Sequence, residues 1–188
     1  MGELVLLDWI QQVLRTPLLD QLMVAVSTAG NLGAIWVVLG CCLAATKRYR
    51  RVGIAVIVAV GLAGVATELV IKPLVMRPRP CEVNTAVTLL VSMPHGSSFP
   101  SGHTCAAFAA CGALLFGRRS AGFGKPSIGF TATVGVLAAV MGFSRLYLYV
   151  HYPTDVLAGC ALGIVLGYLA VKLVERLHTM RIERGQVR

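Results

Sequence analysis

Five apolar stretches that hold one charged residue among them decide the class of this chain. They cover residues 21–46, 52–71, 104–117, 126–144 and 156–171, with lengths of 26, 20, 14, 19 and 16 residues, and the single charge is Glu68. A membrane-spanning helix needs about 20 apolar residues. Arg118 and Lys172 can extend the two shortest stretches, because long basic side chains snorkel to the membrane surface. We therefore predict an all-α protein, a polytopic transmembrane helix bundle of five spans.

The composition excludes the soluble alternatives. Charged residues make up 13% of the chain, hydrophobic residues 56%, and the mean hydropathy is +0.76, whereas soluble domains carry about 25% charged residues. A soluble domain, a disordered segment and a collagen-like rod are excluded on these grounds. In a soluble protein the net charge of +9 would suggest nucleic acid. Here we expect the bilayer as the environment and no nucleic-acid partner.

Residues 1–30 are more polar than the rest of the apolar sequence. Glu3, Asp8, Arg15 and Asp20 interrupt them, Thr16-Pro17 is typical of a helix start, and a glycine-rich break follows at residues 30–33. We predict interfacial or re-entrant N-terminal helices here, with a sixth span as the alternative. An acidic residue at position 3, with no small-residue cleavage site after it, argues against a signal peptide.

The basic residues predict the orientation. Twelve of the 17 Lys and Arg residues fall into three clusters. These are Lys47, Arg48, Arg50 and Arg51; Arg118, Arg119 and Lys125; and Lys172, Arg176, Arg181, Arg184 and Arg188. Five alternating spans place all three clusters on one side, which is cytoplasmic by the positive-inside rule. We thus expect a multi-pass cell (inner) membrane protein with an outside N-terminus, a transmembrane domain at 31–176, and a cytoplasmic basic tail at 177–188.

Three polar segments remain on the opposite, extracytoplasmic side. They are residues 72–80, which contain Lys72, Arg77 and Arg79; residues 98–103, which contain Ser101, Gly102 and His103; and residues 144–155, which contain Arg145, His151 and Asp155. Unpaired cations are costly near a membrane. Lys72, Arg79 and Arg145 are therefore expected to bind a polyanion, of which phosphate suits Arg and Lys best. The helix start at Ser101-Gly102 also favours an anion.

Two histidines can supply the chemistry. His151 precedes Pro153 and lies in a connection, and Asp155 follows in the first turn of the next helix. A carboxylate at this spacing can hold one ring nitrogen and leave the other free to attack phosphorus. His103 would then act as the general acid for the leaving oxygen.

These segments resemble the type 2 phosphatidic acid phosphatase family of membrane lipid phosphatases. Its motifs K-x6-R-P, P-S-G-H and S-R-x5-H-x3-D match Lys72 to Pro80, Pro100 to His103, and Ser144 to Asp155 at every fixed position. The resemblance implies a helical bundle and a metal-free reaction without a cofactor. It implies His151 as nucleophile through a phosphohistidine, Asp155 as its orienting group, and His103 as acid and then base. The phosphate ligands it implies are Lys72, Arg79, Ser101, Gly102 and Arg145.

The substrate is predicted by analogy. We expect a lipid phosphate or prenyl diphosphate, with undecaprenyl diphosphate favoured over phosphatidylglycerophosphate and phosphatidate. A lipid phosphotransferase and a non-enzymatic anion carrier are the alternatives, and both a monomer and a homodimer are compatible with the sequence.

Four further features receive structural interpretations. Glu68 is expected to pair with Lys72 one turn later, and Arg77 to be a loop or lipid-surface charge. Gly159, Gly163 and Gly167 are expected to allow close packing of two helices within the bundle. The six cysteines are expected to be free packing residues, five in apolar stretches and Cys81 in a loop.

Overall fold

Helices make up the whole of the regular structure in the part of the chain that is described. The computed structural model describes residues 2–186, with side chains up to residue 181; helix accounts for 75%, and no strand occurs in this range. The all-α prediction is therefore confirmed. The α-helices are α1 (Gly2–Val13), α2 (Pro17–Ala29), α3 (Ala34–Ala45), α4 (Arg50–Gly64), α5 (Lys72–Val75), α6 (Pro80–Val83), α7 (Gly102–Gly117), α8 (Ile128–Tyr147) and α9 (Pro153–Gln186).

The N-terminal third contains the start and the break that the sequence indicates. Thr16 caps α2 by accepting a hydrogen bond from the Leu19 backbone, and Pro17 occupies the first turn. A short 3₁₀ turn at Asn31–Gly33 then separates α2 from α3, with Leu32 and Gly33 at φ of 54° and 70°. The two helices meet at 54°. The chain therefore bends sharply where a straight first span would run.

Several segments are long and apolar enough to cross a membrane. Three qualify alone, Arg50–Val83, Ile128–Tyr147 and Pro153–Arg181, and the bent pair of α2 and α3 passes the same test when taken together. The apolar helix α7 is shorter, with 16 residues. The protein is thus a multi-pass membrane protein with three or four candidate spans by length and composition. The count of five spans, or six, stays a prediction, as does the interfacial position of the N-terminal helices.

Helix α7 lies at the centre of the bundle because its side chains are small. Its buried residues are mainly alanines, and α9 packs against it through glycines. A Cβ added at Gly167 would lie 2.6 Å from the Ala109 carbonyl oxygen and 2.7 Å from the Ala113 nitrogen, and Gly159 and Gly163 approach α7 as closely. The predicted close packing at these three glycines is confirmed. The close packing places the short helix α7 inside the bundle, with its first turn at the site.

A widened turn carries the chain from α4 into the first polar segment. Residues Val65–Ile71 form a π-helix between α4 and α5. Such turns are frequent at functional sites because they shift the side chains that follow. Here the π-helix places Thr67 and Glu68, together with Lys72, on the wall of the cavity described below.

The basic clusters lie at one end of the bundle, opposite the cavity described below. Arg51 contacts His178 across the bundle, and the two residues line a cavity of about 350 Å³ with Phe123 and Glu175. The prediction that the three clusters share one side therefore agrees with the packing of the described residues. Arg188 lies outside the described residues, and the side chain of Arg184 is not described.

The cysteines are free in the described part of the chain. The loop position predicted for Cys81 was wrong, because this residue is buried in the short helix α6. Its neighbour Pro80 is the first residue of that helix. Proline is common both at a helix start and in an extended turn, so the Arg79-Pro80 sequence does not distinguish the two.

The glycine contact predicts a strong position effect. Gly163→Ala should destabilise the protein by about 1–3 kcal/mol, because the new methyl group would press on the Ala109 nitrogen and the Phe108 side chain, both 2.9 Å away. The matched control is Gly61→Ala, where no heavy atom lies within 4 Å. Unfolding in mixed detergent micelles measures both, and equal stability of the two variants would contradict the close contact.

Candidate active site

The three polar segments meet at one cavity of about 610 Å³. It lies at the end of the bundle opposite the basic clusters, where α5, the start of α7, the end of α8 and the start of α9 meet. Six of the eight candidate residues line it: Lys72, Arg79, Gly102, His103, Arg145 and His151. The remaining two, Ser101 and Asp155, lie behind its wall and are fully buried. Residues far apart in the sequence are therefore brought to one site, with both imidazoles on the same cavity.

His151 and Asp155 form the pair that their spacing predicts. His151 lies in the connection after α8, and Asp155 lies in the first turn of α9. Asp155 Oδ2 lies 3.5 Å from His151 Nδ1, which has no hydrogen-bond partner among the described residues, and accepts a 2.8 Å bond from the Tyr152 backbone nitrogen. This contact directs Nε2 of His151 towards Arg79, whose Nη1 is 3.4 Å away.

Burial sets the protonation of this histidine. His151 is 2% exposed, and desolvation, with smaller contributions from Arg145 and Arg79, lowers the pKa of its imidazole to about 4 although Asp155 acts in the opposite direction. A neutral imidazole carries a free lone pair at one ring nitrogen. At neutral pH His151 is therefore in the form that can attack an electrophile.

Arg79 is held in place by carbonyl groups. Four of its N–H groups donate to the backbone oxygens of His95, Gly96, Ser97 and Val150, at 3.0–3.3 Å. Arg79 as a whole is 2% exposed, and a buried charge needs such partners. Arg79 thus ties the loop before α7 to the connection before α9, and it directs Nη1 at His151.

Lys72 lines the same cavity as Arg79. Its Nζ donates to Glu68 Oε1 at 2.5 Å, which confirms the predicted i,i+4 pair. Glu68 also lies close to Gly102, where an added Cβ would meet its Oε1 at 2.8 Å. Gly102 is therefore needed for space at the first turn of α7.

Ser101 caps α7 instead of facing the cavity. Its Oγ accepts from the Thr104 hydroxyl at 2.9 Å and from the Thr104 backbone at 3.5 Å. Its backbone nitrogen donates to the Asp155 carbonyl oxygen at 3.1 Å. The capping contacts fasten the start of α7 to the start of α9, which aligns His103 with the His151 segment.

The N-terminal helices contribute two contacts that the sequence analysis missed. His103 Nε2 lies 3.0 Å from Asn31 Oδ1, and Arg145 Nη1 donates to the Ser27 hydroxyl. Both partners come from the region around the break between α2 and α3. The only signal in the sequence was Asn31, a polar residue between Gly30 and Gly33 in an otherwise apolar stretch. This pattern indicates a break in the helix but does not indicate which residue Asn31 contacts.

Arg77 lies in the loop between α5 and α6, as expected, but its guanidinium is bound by protein groups and is not a free charge at the lipid surface. Its Nη1 donates to Asp155 Oδ1 at 2.6 Å and to the Thr154 hydroxyl at 2.7 Å, and its Nη2 donates to Glu3 Oε2 at 2.6 Å. The guanidinium also lies over the Tyr152 ring, 4.0 Å from its centroid. The buried carboxylate behind His151 therefore has a cationic partner.

Residues suited to a metal are not grouped at this cavity. Among the residues that the structure describes, no three His, Cys, Asp or Glu side chains come together in a way that could hold a metal ion. The groups that could hold a ligand are the cations and imidazoles above.

Comparison with known proteins bears on the family. A family model described as the PAP2 superfamily matches residues 52–178. Undecaprenyl-diphosphatase BcrC of Bacillus subtilis is 33% identical over 120 residues, which cover 63% of this chain and 56% of that protein. An undecaprenyl-diphosphatase of Sulfolobus acidocaldarius is 30% identical over 167 residues, covering 88% of this chain and 76% of the relative. This chain thus spans little more than half the length of the first relative.

A solved structure shares the architecture. The crystal structure of Aquifex aeolicus LpxE is similar with a TM-score of 0.76 and 29% identity, over 92% of this chain and 96% of that one. The family resemblance predicted from the motifs is confirmed. Since the family model covers all three motif segments and the Sulfolobus relative aligns with almost the whole chain, this chain belongs to the PAP2 superfamily.

Proposed function

We propose that this protein is a lipid phosphatase that removes the terminal phosphate of a membrane lipid phosphate or diphosphate. The observation that carries the proposal is the shared cavity, on whose wall two imidazoles and three cationic side chains meet. Glu68 pairs with Lys72, but Arg79 and Arg145 have only neutral partners, and neighbouring like charges are unfavourable unless an anion neutralises them. A phosphoryl group fits this requirement in charge and in hydrogen-bonding geometry.

The proposed reaction has two steps. Lys72, Arg79 and Arg145 hold the phosphate oxygens, and Nε2 of His151 attacks phosphorus. The bond from phosphorus to the leaving oxygen breaks while His103 donates a proton to that oxygen. A water molecule, losing its proton to His103, then attacks the phosphohistidine, which releases inorganic phosphate and regenerates His151.

Asp155 keeps His151 in the productive orientation. Its Oδ2, fixed by the Tyr152 backbone, faces Nδ1 and so favours the tautomer with Nε2 unprotonated. As the imidazole becomes cationic during the attack, the carboxylate stabilises the developing charge. The reaction as written requires no metal ion.

The membrane setting and the relatives support a lipid substrate. The cavity is lined by apolar residues, among them Gly33, Val60, Gly64 and Ala106, as well as by the charged ones, which suits a lipid whose phosphate headgroup enters while its apolar tail stays in the bilayer. Two relatives are named undecaprenyl-diphosphatases, which favours undecaprenyl diphosphate as the substrate. The cavity lies opposite the basic clusters, which supports an extracytoplasmic site.

Substitution of the nucleophile tests the reaction. Purified protein, assayed with a chelator against undecaprenyl diphosphate, phosphatidylglycerophosphate and phosphatidate, should release inorganic phosphate fastest from the first. His151→Ala should lower this rate by about 10³-fold or more. With substrate labelled with ³²P in its terminal phosphate and a rapid alkaline quench, an acid-labile, base-stable label should form on the wild-type protein and be absent from His151→Ala.

The control is His178→Ala, which removes a histidine at the opposite end of the bundle. It should keep the wild-type rate. Phosphate release that survives in His151→Ala would falsify the nucleophile assignment, and activity lost to the chelator would contradict the metal-free reaction. Transfer of label to an alcohol instead of water would indicate a phosphotransferase, and transport without hydrolysis an anion carrier.

The pH dependence follows from the burial of His151. Because the pKa of this imidazole is lowered to about 4, the neutral nucleophile persists well below the ordinary histidine range. The acid limb of kcat/KM due to the enzyme should lie near pH 4, after correction for substrate ionisation measured by ³¹P NMR. A limb near pH 6.5 would show that the nucleophile is an ordinary, solvated imidazole.

Cysteine labelling tests the proposed orientation. Ser92→Cys lies in the loop before α7, and Ala121→Cys lies in the connection after α7, and both positions are exposed. In intact cells a membrane-impermeant maleimide should modify position 92 and spare position 121, with the unsubstituted protein giving the background. The reverse pattern would place the cavity on the cytoplasmic side.

A further inference from the structure

A network at the outer surface links the first helix to the proposed nucleophile. It runs from Glu3 of α1 through Arg77 to Asp155, and from there to His151. These residues come from three separate places in the sequence. Only His151 and Asp155 are fixed positions of the motifs, because Arg77 is one of the variable residues between Lys72 and Arg79.

Asp155 has two differently occupied oxygen atoms. Oδ2 accepts from the Tyr152 backbone and faces His151, whereas Oδ1 accepts from Arg77 at 2.6 Å. The carboxylate is fully buried, and a buried anion without a counter-charge is strongly unfavourable. Among the described residues, Arg77 is the cation that contacts it.

Arg77 is in turn fixed on three sides. Glu3 accepts from its Nη2, Thr154 accepts from its Nη1, and the Tyr152 ring lies under the guanidinium plane. Glu3 also accepts from the backbone and the hydroxyl of Thr154, at 3.0 and 2.7 Å. Burial would raise the pKa of Glu3, but these bonds from Thr154 and Arg77 outweigh it and lower the pKa, so Glu3 is anionic at neutral pH.

Arg77 does not face the phosphate cavity. It is absent from the residues that line that cavity, and its contacts occupy the outer side of Asp155. Its neighbour in the same segment, Arg79, points to the cavity side of His151 instead. The two arginines therefore flank the His151–Asp155 pair from opposite sides.

We propose that Arg77, anchored by Glu3 of the N-terminal helix, is a positioning residue that holds the Asp155 carboxylate in line with His151. This inference rests on the proposed phosphatase function. Without Arg77, Asp155 could rotate or take up a proton, and His151 would lose the group that stabilises its developing charge. The formation of the phosphohistidine would slow, while phosphate binding at Lys72, Arg79 and Arg145 would be unaffected.

Substitution of Arg77 tests this role through separate kinetic constants. Arg77→Gln should lower kcat by about 10–100-fold, the range typical of groups that orient a reacting side chain through another residue, with KM changed less than twofold. Arg77→Lys, which keeps the charge, should restore part of the loss. A rise in KM at constant kcat would instead indicate direct phosphate binding and overturn the proposal.

The anchor is tested with a matched pair on one helix. Glu3→Gln should lower kcat by about 3–10-fold, as expected for loss of a charged hydrogen bond. Asp8→Asn removes another carboxylate of α1, which accepts from Tyr149 at 2.5 Å but does not reach Asp155, and should keep the wild-type kcat. In the Arg77→Gln background Glu3→Gln should have no further effect, because coupled residues are not additive.

The outcomes separate the two proposals. His151→Ala, measured in parallel, tests the proposed function. If His151→Ala is inactive and Arg77→Gln keeps the wild-type kcat, only the role of Arg77 is overturned. If Arg77→Gln does not fold in detergent, Glu3→Gln and Asp8→Asn decide: equal kcat values in these two folded variants would overturn the role of the anchor and of Arg77 with it.

Discussion

The burial of ionised groups at one end of an apolar bundle is the constraint on which the site depends. Asp155 is fully buried and Arg79 and Arg145 nearly so, and such groups are tolerated only with partners. Backbone carbonyl groups accept hydrogen bonds from Arg79, and the Asp155 carboxylate accepts hydrogen bonds from Arg77 and from the Tyr152 backbone nitrogen. These bonds join the loop before α7 to the connection before α9. The polar interactions that make the charges tolerable therefore also hold the loops that carry them.

Helices α7 and α9 pack closely against each other beneath the site. Alanines on α7 and glycines on α9 bring two backbones together, so the start of α7 lies beside the start of α9. The π-helix after α4 and the bend between α2 and α3 direct side chains into the same space. A straight, regular bundle of larger side chains would leave the three motifs on separate surfaces. Small residues and irregular turns are thus part of the site.

Much of the site could be predicted from the sequence, because its key contacts are local or motif-based. The spacing of His151 and Asp155, the pairing of Glu68 with Lys72, and the helix start at Ser101 each involve residues within four positions. The contacts that were missed join Asn31 to His103, Ser27 to Arg145 and Glu3 to Thr154, at separations of 72, 118 and 151 residues. No local pattern specifies which polar residue of an N-terminal helix will face which loop. Arg77 was missed for a related reason, because a basic residue after a span normally anchors at the membrane surface.

The two buried arginines of the cavity differ in what they can still offer to a ligand. Arg79 spends four of its five N–H groups on carbonyl oxygens. Arg145 has its Nε buried without a partner among the described residues, and only Ser27 contacts its Nη1. An inhibitor that adds acceptor atoms would therefore gain more from reaching Arg145 than from crowding Arg79. Selective compounds against this cavity should be extended towards α8, where the Arg145 Nε has no partner among the described residues and can donate to an added acceptor.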